Sequence, residues 1–424
     1  MGGLNDGVMK RGNTWSYVIR VSDPVSGRSK PKWVGGFPTA KAAKDARDEA
    51  RRAARRGRYV EKSRITVQEY LTEWLDGHAM EIKPSTREGY REWLTRYVYS
   101  RIGAMRLQAV RSATLTKLYR DLSESGSHSG GALSARSVDY VHAILRKAFN
   151  DAVRADNLLP SNPCLMAKRP RREHGTPSGT VWDAGQLRTF LGVAEGHRLF
   201  AFFRLSAYSG ARRGELLYLR WADVDWHIPA IRIRGTAGMV GGKRTEGSTK
   251  SGHERVVSLD PATMKVLRRH RRQQMADRMT AGDAWEDHGY VFTTGLGRPV
   301  PPDTVTNLMS VLIRQHNEPA IPGTRKTPRR ELPRPANPLP PARLHDLRHV
   351  HATTLLLAGV PVHVVAERLG HSDPAITLRV YAHVIRRHAE GVAAKFAQAV
   401  DGELDLDQDD DGDDGPEPTE GVPC

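Results

Sequence analysis

Residues 158–180, LLPSNPCLMAKRPRREHGTPSGT, are so rich in proline, glycine and basic side chains that no helix or strand is expected to run through them. The stretch reads as an exposed linker able to cross a phosphate backbone, and it divides the chain into separately folding parts. At 424 residues there is chain for two or three domains, each able to bury its own core.

Before the break, two short β-prone runs come first. WSYVIRV and KPKWVGGF are joined by SDPVSGRS, whose Asp-Pro and Ser-Gly pairs are turn signals. Thr39 can cap the helix AKAAKDARDEARRAARR that follows. So small a unit has a meagre core, and its use is either to dock a basic surface on an acidic polymer or to be a solvated charged helix. From residue 65 to about 157 the pattern turns helical. ITVQEYLTEWLDGHA with Thr66 as cap, PSTREGYREWLTRYVYSRIG, ATLTKLYRDLSES and ARSVDYVHAILRKAFNDAVRADN predict a bundle of about four helices.

After the break the classes mix. Helical runs are expected at DAGQLRTFLGVAEG and LFAFFRLSAYSGARRGELLYLRW, strands at AIRIRG and RVVSLD on either side of a Gly/Lys-rich connection, and a long helix at PATMKVLRRHRRQQMADRM. A strand-like YVFTT and the helix PDTVTNLMSVLIRQH come next. Residues 317–343 carry too many prolines for a regular element and read as a surface loop. Four helices close the region, at HDLRHVHATTLLLAG, VHVVAERLG, DPAITLRVYAHV and RRHAEGVAAKFAQAV, before an acidic tail that reads as disordered. The fold class expected is therefore multidomain and mainly α with small β-sheets. The divisions are a ββ(β)α module at 1–62, a helical bundle at 63–160, a linker at 161–180, a mixed α+β domain at 181–400 and the tail at 401–424.

Charge narrows the partner. The formal net charge is +17, yet residues 401–424 carry eleven acidic residues and no lysine or arginine, so the rest of the chain stands at +28. An excess of that size favours a polyanion, above all nucleic acid. Cys164 and Cys424 supply neither a disulfide framework nor a zinc set, and no run of about 18 apolar residues offers a membrane span. MGGLNDGVMK has no apolar signal core, so a cytoplasmic setting is expected.

Several polar residues interrupt otherwise apolar helices in the mixed region. Arg212 and Arg213 precede Glu215 in SGARRGELLYLRW, where an arginine is expensive to bury unless it is paired or meets a ligand. It is either half of an Arg–Glu pair between helices or a ligand receptor. His345 and Arg348 in LHDLRHVHATTLLL lie three apart on one helical face, where they can be structural hydrogen-bonding groups or receive a phosphate. Lys250 in STKSGHERVVSL reads as a solvated loop lysine, His371 in RLGHSDP as a neighbour of a helix cap, and Tyr381 in LRVYAHV as a core aromatic.

In chain order and with these contexts, Arg212, Lys250, His345, Arg348, His371 and Tyr381 resemble the tyrosine recombinase (phage integrase) family. The resemblance rests on SGARRGELLYLRW, TKSGHERVVSL, LHDLRHVHATTLLLAGV and LGHSDPAITLRVYAHV, with 33 residues from Arg348 to Tyr381. It implies that 1–62 is an arm-type DNA-binding module, 63–160 a core-binding domain and 181–400 the catalytic domain. Implied too is a site-specific recombinase that integrates or excises a mobile element, acting on double-stranded attachment sites. A homotetramer on paired sites is implied, with an excisionase or a DNA-bending protein as possible accessories. GVAAKFAQAV would dock on a neighbouring subunit. A resolvase-type or transposon recombinase, and a noncatalytic DNA-binding regulator of the same fold, are the alternatives.

By the same resemblance, Tyr381 attacks phosphorus to form a 3′-phosphotyrosine and free a 5′-hydroxyl. Arg212 and Arg348 would hold the nonbridging oxygens, and Lys250 would protonate the departing oxygen. His345 would assist proton transfer at the nucleophile or bind the phosphate, and His371 would donate a hydrogen bond to it. Glu215 and Asp346 would orient these groups. The covalent bond conserves the energy, so no cofactor, ATP or metal is expected, in keeping with the lack of a GxxxxGK[ST] motif.

Overall fold

Two compact units make up the chain, residues 1–176 and 177–424. The structure is a computed structural model and describes residues 7–22, 29–55, 59–127, 130–171, 182–249, 252, 254–321, 330–371, 373–375, 377–378, 381 and 396.

The first unit opens with three strands where two were expected: β1 (Val8–Arg11), β2 (Thr14–Ser22) and β3 (Ser29–Phe37) form an antiparallel meander. VMKR lacks a β-prone alternation; it is recruited as a strand by pairing with Thr14–Tyr17 of β2. Helix α1 (Ala40–Arg55) packs across the sheet, its first turn capped as expected by the Thr39 hydroxyl, which accepts from Ala42 N at 3.1 Å. The shared core is small, with Tyr17, Ile19 and Ala50 at its centre.

The helical pattern then forms a bundle. In α2 (Val67–Gly77) the Thr66 hydroxyl and the Glu69 carboxylate close a capping box. Helix α3 (Pro84–Leu94) runs through a π-helical turn, Thr95–Tyr99, into the short α4 (Ser100–Ile102). Next are α5 (Ser112–Ser125) and α6 (Ala135–Arg154). Leu71, Leu94, Leu115, Leu122 and Phe149 are fully buried between them. The expected exposed linker is only partly one. Residues 159–169 lie against the bundle, held by Asn162, whose amide donates to Arg146 O (2.9 Å) and Asn150 Oδ1 (2.8 Å), and by Ser112 donating to Pro163 O (2.8 Å). Proline forbids a long helix there but not a single 3-10 turn, Pro163–Met166, in a packed segment whose polar groups find partners.

The second unit begins with α7 (Ala184–Ala194) and α8 (Phe200–Ser209). LFAFFRLSAYSGARRGELLYLRW is two helices rather than one. Gly210 ends α8 in the left-handed conformation (φ 64°), and α9 (Arg213–Tyr218) restarts after it. The strands AIRIRG and RVVSLD appear as β5 (Ala230–Ile233) and β8 (Arg255–Ser258), antiparallel neighbours in the sheet order β4-β5-β8, with β4 at Val224–Asp225. What reads as a Gly/Lys-rich connection is a hairpin of β6 (Gly235–Val240) and β7 (Lys243–Ser248). Its turn is Gly241-Gly242, both at positive φ, the pair of conformations a two-residue hairpin turn demands.

Long α10 (Pro261–Ala281) and α11 (Pro302–Asn317) follow. YVFTT is not a strand. Tyr290 and Thr293 make only isolated bridges, to Arg220 and Pro299, and the Tyr290 hydroxyl turns to Glu246 on the hairpin. Nor is 317–343 wholly a surface loop. Ala320–Ile321 (β9) pairs with Arg330–Glu331 (β10), and the segment after it is stitched to the core. Asn317 donates to Leu339 O (2.8 Å) and accepts from Leu339 N (2.7 Å), while Trp182 Nε1 donates to Pro340 O (3.0 Å), so Leu339 and Leu344 are buried. This brings the chain into α12 (Asp346–Leu357) and α13 (Val362–Leu369). Of the described residues of the next expected helix, Asp373 lies in a bend and 374, 375, 377, 378 and 381 are helical. The final helix, apart from residue 396, and the acidic tail lie outside the described residues.

Asn317→Ala removes both bonds to Leu339 and leaves the Leu339 backbone groups without them. It is expected to destabilise the second unit by about 1–3 kcal/mol, measured as a lowered denaturation midpoint with an unchanged denaturant slope.

Candidate active site

The Gly210 break aims the residues after it. Arg212 is the N-cap of α9, and its backbone N–H and guanidinium both donate to Glu215, at 2.8 Å each. Glu215 is 2% exposed and also accepts two bonds from Arg255 on β8, at 3.2 and 2.7 Å. Burial pushes its carboxyl upward, but the Arg255 bonds and charge, with those of Arg212, outweigh it and hold the group below the usual carboxylate range. Arg212 reaches further, donating to Gly370 O at 3.2 Å, while Arg255 Nε donates to Arg368 O at 3.0 Å. Gly370 caps α13 in the left-handed conformation (φ 68°), and a Cβ there would strike the Arg255 guanidinium.

Arg348, in the first turn of α12, is 3% exposed. Its Nη1 donates to Gly210 O (2.8 Å), while its buried Nη2 has no hydrogen-bond partner among the described residues. Burial, then the charge of Arg212, pushes it down to about 9, which still leaves it cationic at neutral pH. His345 stands at the N-terminus of α12, open to solvent on one side, its ring edge-on to His349 at 5.0 Å. Desolvation of its inner side, with His349 and Arg348 beside it, holds this imidazole below its usual value. His371 directly follows Gly370, and its Nδ1 lies 2.6 Å from the buried Thr377 hydroxyl. Burial first, then Arg348, Arg212 and Arg255, push it down to about 4.

Tyr381 is 3% exposed and packs with Ala352, Val365 and Leu369 of α12 and α13. Its hydroxyl lies 2.7 Å from His349 Nδ1. Burial raises the phenol to about 12, and the Arg348 charge only partly offsets this. Arg212, His345, Arg348, His371 and Tyr381 are thus drawn into one electrostatic neighbourhood, since Arg212 acts on Arg348 and Arg348 acts on His345, His371 and Tyr381. Lys250 lies outside the described residues. Its neighbour Thr249 is buried at the end of the β6–β7 hairpin.

One expectation needs correction. Asp346 orients neither histidine nor arginine of the site by a hydrogen bond; its carboxylate caps the turn before α12, accepting from Arg343 N (2.7 Å) and Arg343 Nη2 (3.1 Å). Arg213 points away, bonding Thr306 (2.9 Å) and Pro302 O (3.3 Å) on α11. Three residues escaped the sequence reading. They are Arg255, His349 on the phenol, and His351, whose Nδ1 donates to Ala207 O (2.9 Å) while Nε2 accepts from Arg368 Nε (3.0 Å). The run His345-x3-His349-x-His351 was the available signal.

Residues 182–388 match the phage integrase family, residues 8–52 an arm DNA-binding domain, and residues 66–123 the N-terminal SAM-like domain of phage integrases. The chain belongs to the phage integrase family, the tyrosine recombinases. It is 28% identical over 367 residues to a tyrosine recombinase XerC-like protein of Caldanaerobacter subterraneus subsp. tengcongensis, covering 82% of this chain and 86% of that one. It is 26% identical over 361 residues to an integrase of Streptomyces ambofaciens, covering 83% and 85%. Among solved structures, the Tn1549 transposon integrase in complex with transposon right end DNA shares the fold with a TM-score of 0.60 at 18% identity, over 77% of this chain and 99% of that one. A lambda integrase tetramer bound to a Holliday junction gives 0.52 at 15% identity, over 87% and 96%.

His351 and His371 are each pushed down to about 4, against about 6.5 in the unfolded chain. Between those values the unfolded state binds more protons, so stability falls as pH falls from about 6.5 toward 4. Thermal denaturation at half-unit pH steps is expected to show this slope, and His351→Gln to flatten it; a wild-type midpoint constant across that window would contradict the assignment.

Proposed function

We propose that this protein is a site-specific recombinase that cuts and rejoins double-stranded DNA through a 3′-phosphotyrosine on Tyr381, to integrate or excise a mobile element. The observation that carries the reading is Arg348 standing beside both Arg212 and Tyr381, with its Nη2 buried and without a hydrogen-bond partner among the described residues. A buried cationic donor left free is costly unless an anion completes it. A phosphodiester gaining negative charge at its nonbridging oxygens during in-line attack is such an anion.

The roles divide by charge state. Arg212, fixed by Glu215, and Arg348, fixed by Gly210 O, bind the nonbridging oxygens. His371 stays neutral at physiological pH. With the Thr377 hydroxyl donating to Nδ1, its Nε2–H is free to donate to the phosphate. His345, on the open side of the same helix end, binds the phosphate. Lys250, after the hairpin, protonates the departing 5′-oxygen. Residues 1–62 serve as an arm-binding module, 63–160 as the core-binding domain, 161–180 as the linker and 181–400 as the catalytic domain. Homotetramer assembly on paired sites, an excisionase or DNA-bending accessory and a cytoplasmic setting belong to the same proposal. The described residues include no helix long and apolar enough to cross a membrane.

The test is a duplex selected by the full chain from a random library, nicked beside the cleavage position and incubated with the protein. An SDS-resistant adduct is expected, and Tyr381→Phe is expected to abolish it. Lys250→Ala is expected to slow adduct formation by about 10²–10⁴-fold and to recover when a 5′-bridging sulfur makes the leaving group independent of a proton. A bound duplex giving no adduct would assign the protein to the noncatalytic regulators instead.

A further inference from the structure

We infer that His349 is the catalytic residue that takes the phenolic proton of Tyr381 as its oxygen attacks phosphorus, and returns it when the strand is rejoined. The inference rests on Tyr381 being the nucleophile, as proposed above. The hydroxyl of Tyr381 and Nδ1 of His349 lie 2.7 Å apart, with ring centroids at 5.8 Å. That is direct hydrogen-bond reach for proton transfer, with no intervening group. His345 is one helical turn back and meets His349 edge-on at 5.0 Å, so it is His349, rather than His345, that faces the phenol oxygen.

The need for an acceptor follows from the burial of Tyr381. A phenol pushed up to about 12 is almost wholly protonated at neutral pH, and a protonated phenol is a poor nucleophile. Arg348 alone does not correct this, since its charge offsets only part of the burial. His349 begins neutral. Burial pushes its imidazole down, Asp346 pulls it up, and Arg348 and Arg343 push it down again, so the net direction is below the usual value. With His345 also held neutral beside it, and Tyr381 itself, these are the titratable and charged groups around the ring among the described residues. The Nε2–H tautomer leaves Nδ1 with a lone pair toward the phenol, so Tyr381 O–H donates to His349.

The step balances without any further reagent. The Tyr381 O–H bond breaks and its proton passes to Nδ1 while the Oη–P bond forms. The P–O5′ bond breaks, and the 5′-oxygen takes its proton from Lys250, the donor proposed above. Full transfer before attack would be steeply uphill, because the phenol is far less acidic than imidazolium. The proton therefore moves as the Oη–P bond develops and the phenolic oxygen gives up its electron pair. In rejoining, the imidazolium protonates Tyr381 as it leaves.

Adduct formation on the nicked duplex described above tests this with two variants. His349→Ala removes the ring, and His349→Gln keeps a hydrogen-bond acceptor of similar reach with no basicity. Both are expected to bind the duplex as the wild type does and to form adduct about 10²-fold more slowly. Replacing Tyr381 by 2,3,5-trifluorotyrosine, whose hydroxyl ionises near neutral pH, is expected to recover most of the loss in both. The wild-type rate is expected to fall at acid pH as His349 protonates, and this limb should vanish in His349→Gln. Cleavage by His349→Gln within about threefold of wild type, or a loss that fluorotyrosine leaves untouched, overturns the role and leaves His349 a packing residue. Absence of adduct with the wild type itself overturns the recombinase reading, an outcome distinct from either variant result.

Discussion

Glu215 is a carboxylate with 2% of its surface exposed, and its charge has to be balanced by whatever the fold brings to it. Two guanidiniums arrive from different elements, Arg212 from the start of α9 and Arg255 from β8. Each also donates to the end of α13, where Gly370 O and Arg368 O accept. One buried anion therefore locks helix, sheet and the turn bearing His371 into a single frame. Desolvating three charged groups offsets much of their attraction, so the network contributes geometry more than net stability. That geometry leaves the Arg212 side chain 25% exposed, whereas that of Arg255 is 9% exposed.

Helix α12 divides its histidines between two tasks by rotation alone. His345 and His349 are one turn apart and share a face, so their rings meet on the side of Tyr381. His351 is two residues beyond His349, about 200° round the helix axis at 3.6 residues per turn. It turns into the α8 side, where it donates to Ala207 O and accepts from Arg368. Those two bonds require a neutral ring with the proton on Nδ1. A cation there would face Arg368, whose guanidinium also holds Tyr208 O and Ser258 O. Arg368 thus pins α13 to α8 and β8, and His351 ties α12 to both helices, which keeps Gly370 and His371 in register with Arg348.

Long amphipathic segments with local start signals were legible in the sequence. Thr66 with Glu69, Thr39 and the four helical runs of the first unit specify their own ends, because capping depends on residues three or four apart. Elements defined by distant partners were not legible. The β6–β7 hairpin is built from GTAGMV and KRTEGS, which lack β-branched alternation, and only the Gly-Gly turn carries a local signal. YVFTT has strand composition without a strand to pair with, and the proline-rich segment before α12 is ordered by bonds between residues far apart in it or outside it, Asn317 at the end of α11 and Trp182 at the start of the unit. The reactive positions were readable as an ordered set of motifs. Arg255 and His349 resemble ordinary polar residues on a strand and a helix. Their places beside Glu215 and Tyr381 are set by tertiary approaches over 40 and 32 residues of chain.

The charge arrangement explains why such a site suits a transition state better than a bound ground state. Arg212 and Arg348 repel one another, Arg348 is desolvated as well, and one of its donors is unpaired. A diester with a single negative charge relieves only part of this. On the proposed reading, attack by Tyr381 adds negative charge where the two guanidiniums converge, so relief is greatest when the bond to phosphorus is half made. The surrounding imidazoles are kept neutral by burial and by these same arginines, and as neutral groups they can hydrogen-bond without adding to the repulsion. Burial of Tyr381 completes the logic, since a phenol held protonated at about 12 does not react until a phosphate and a proton acceptor are both in place.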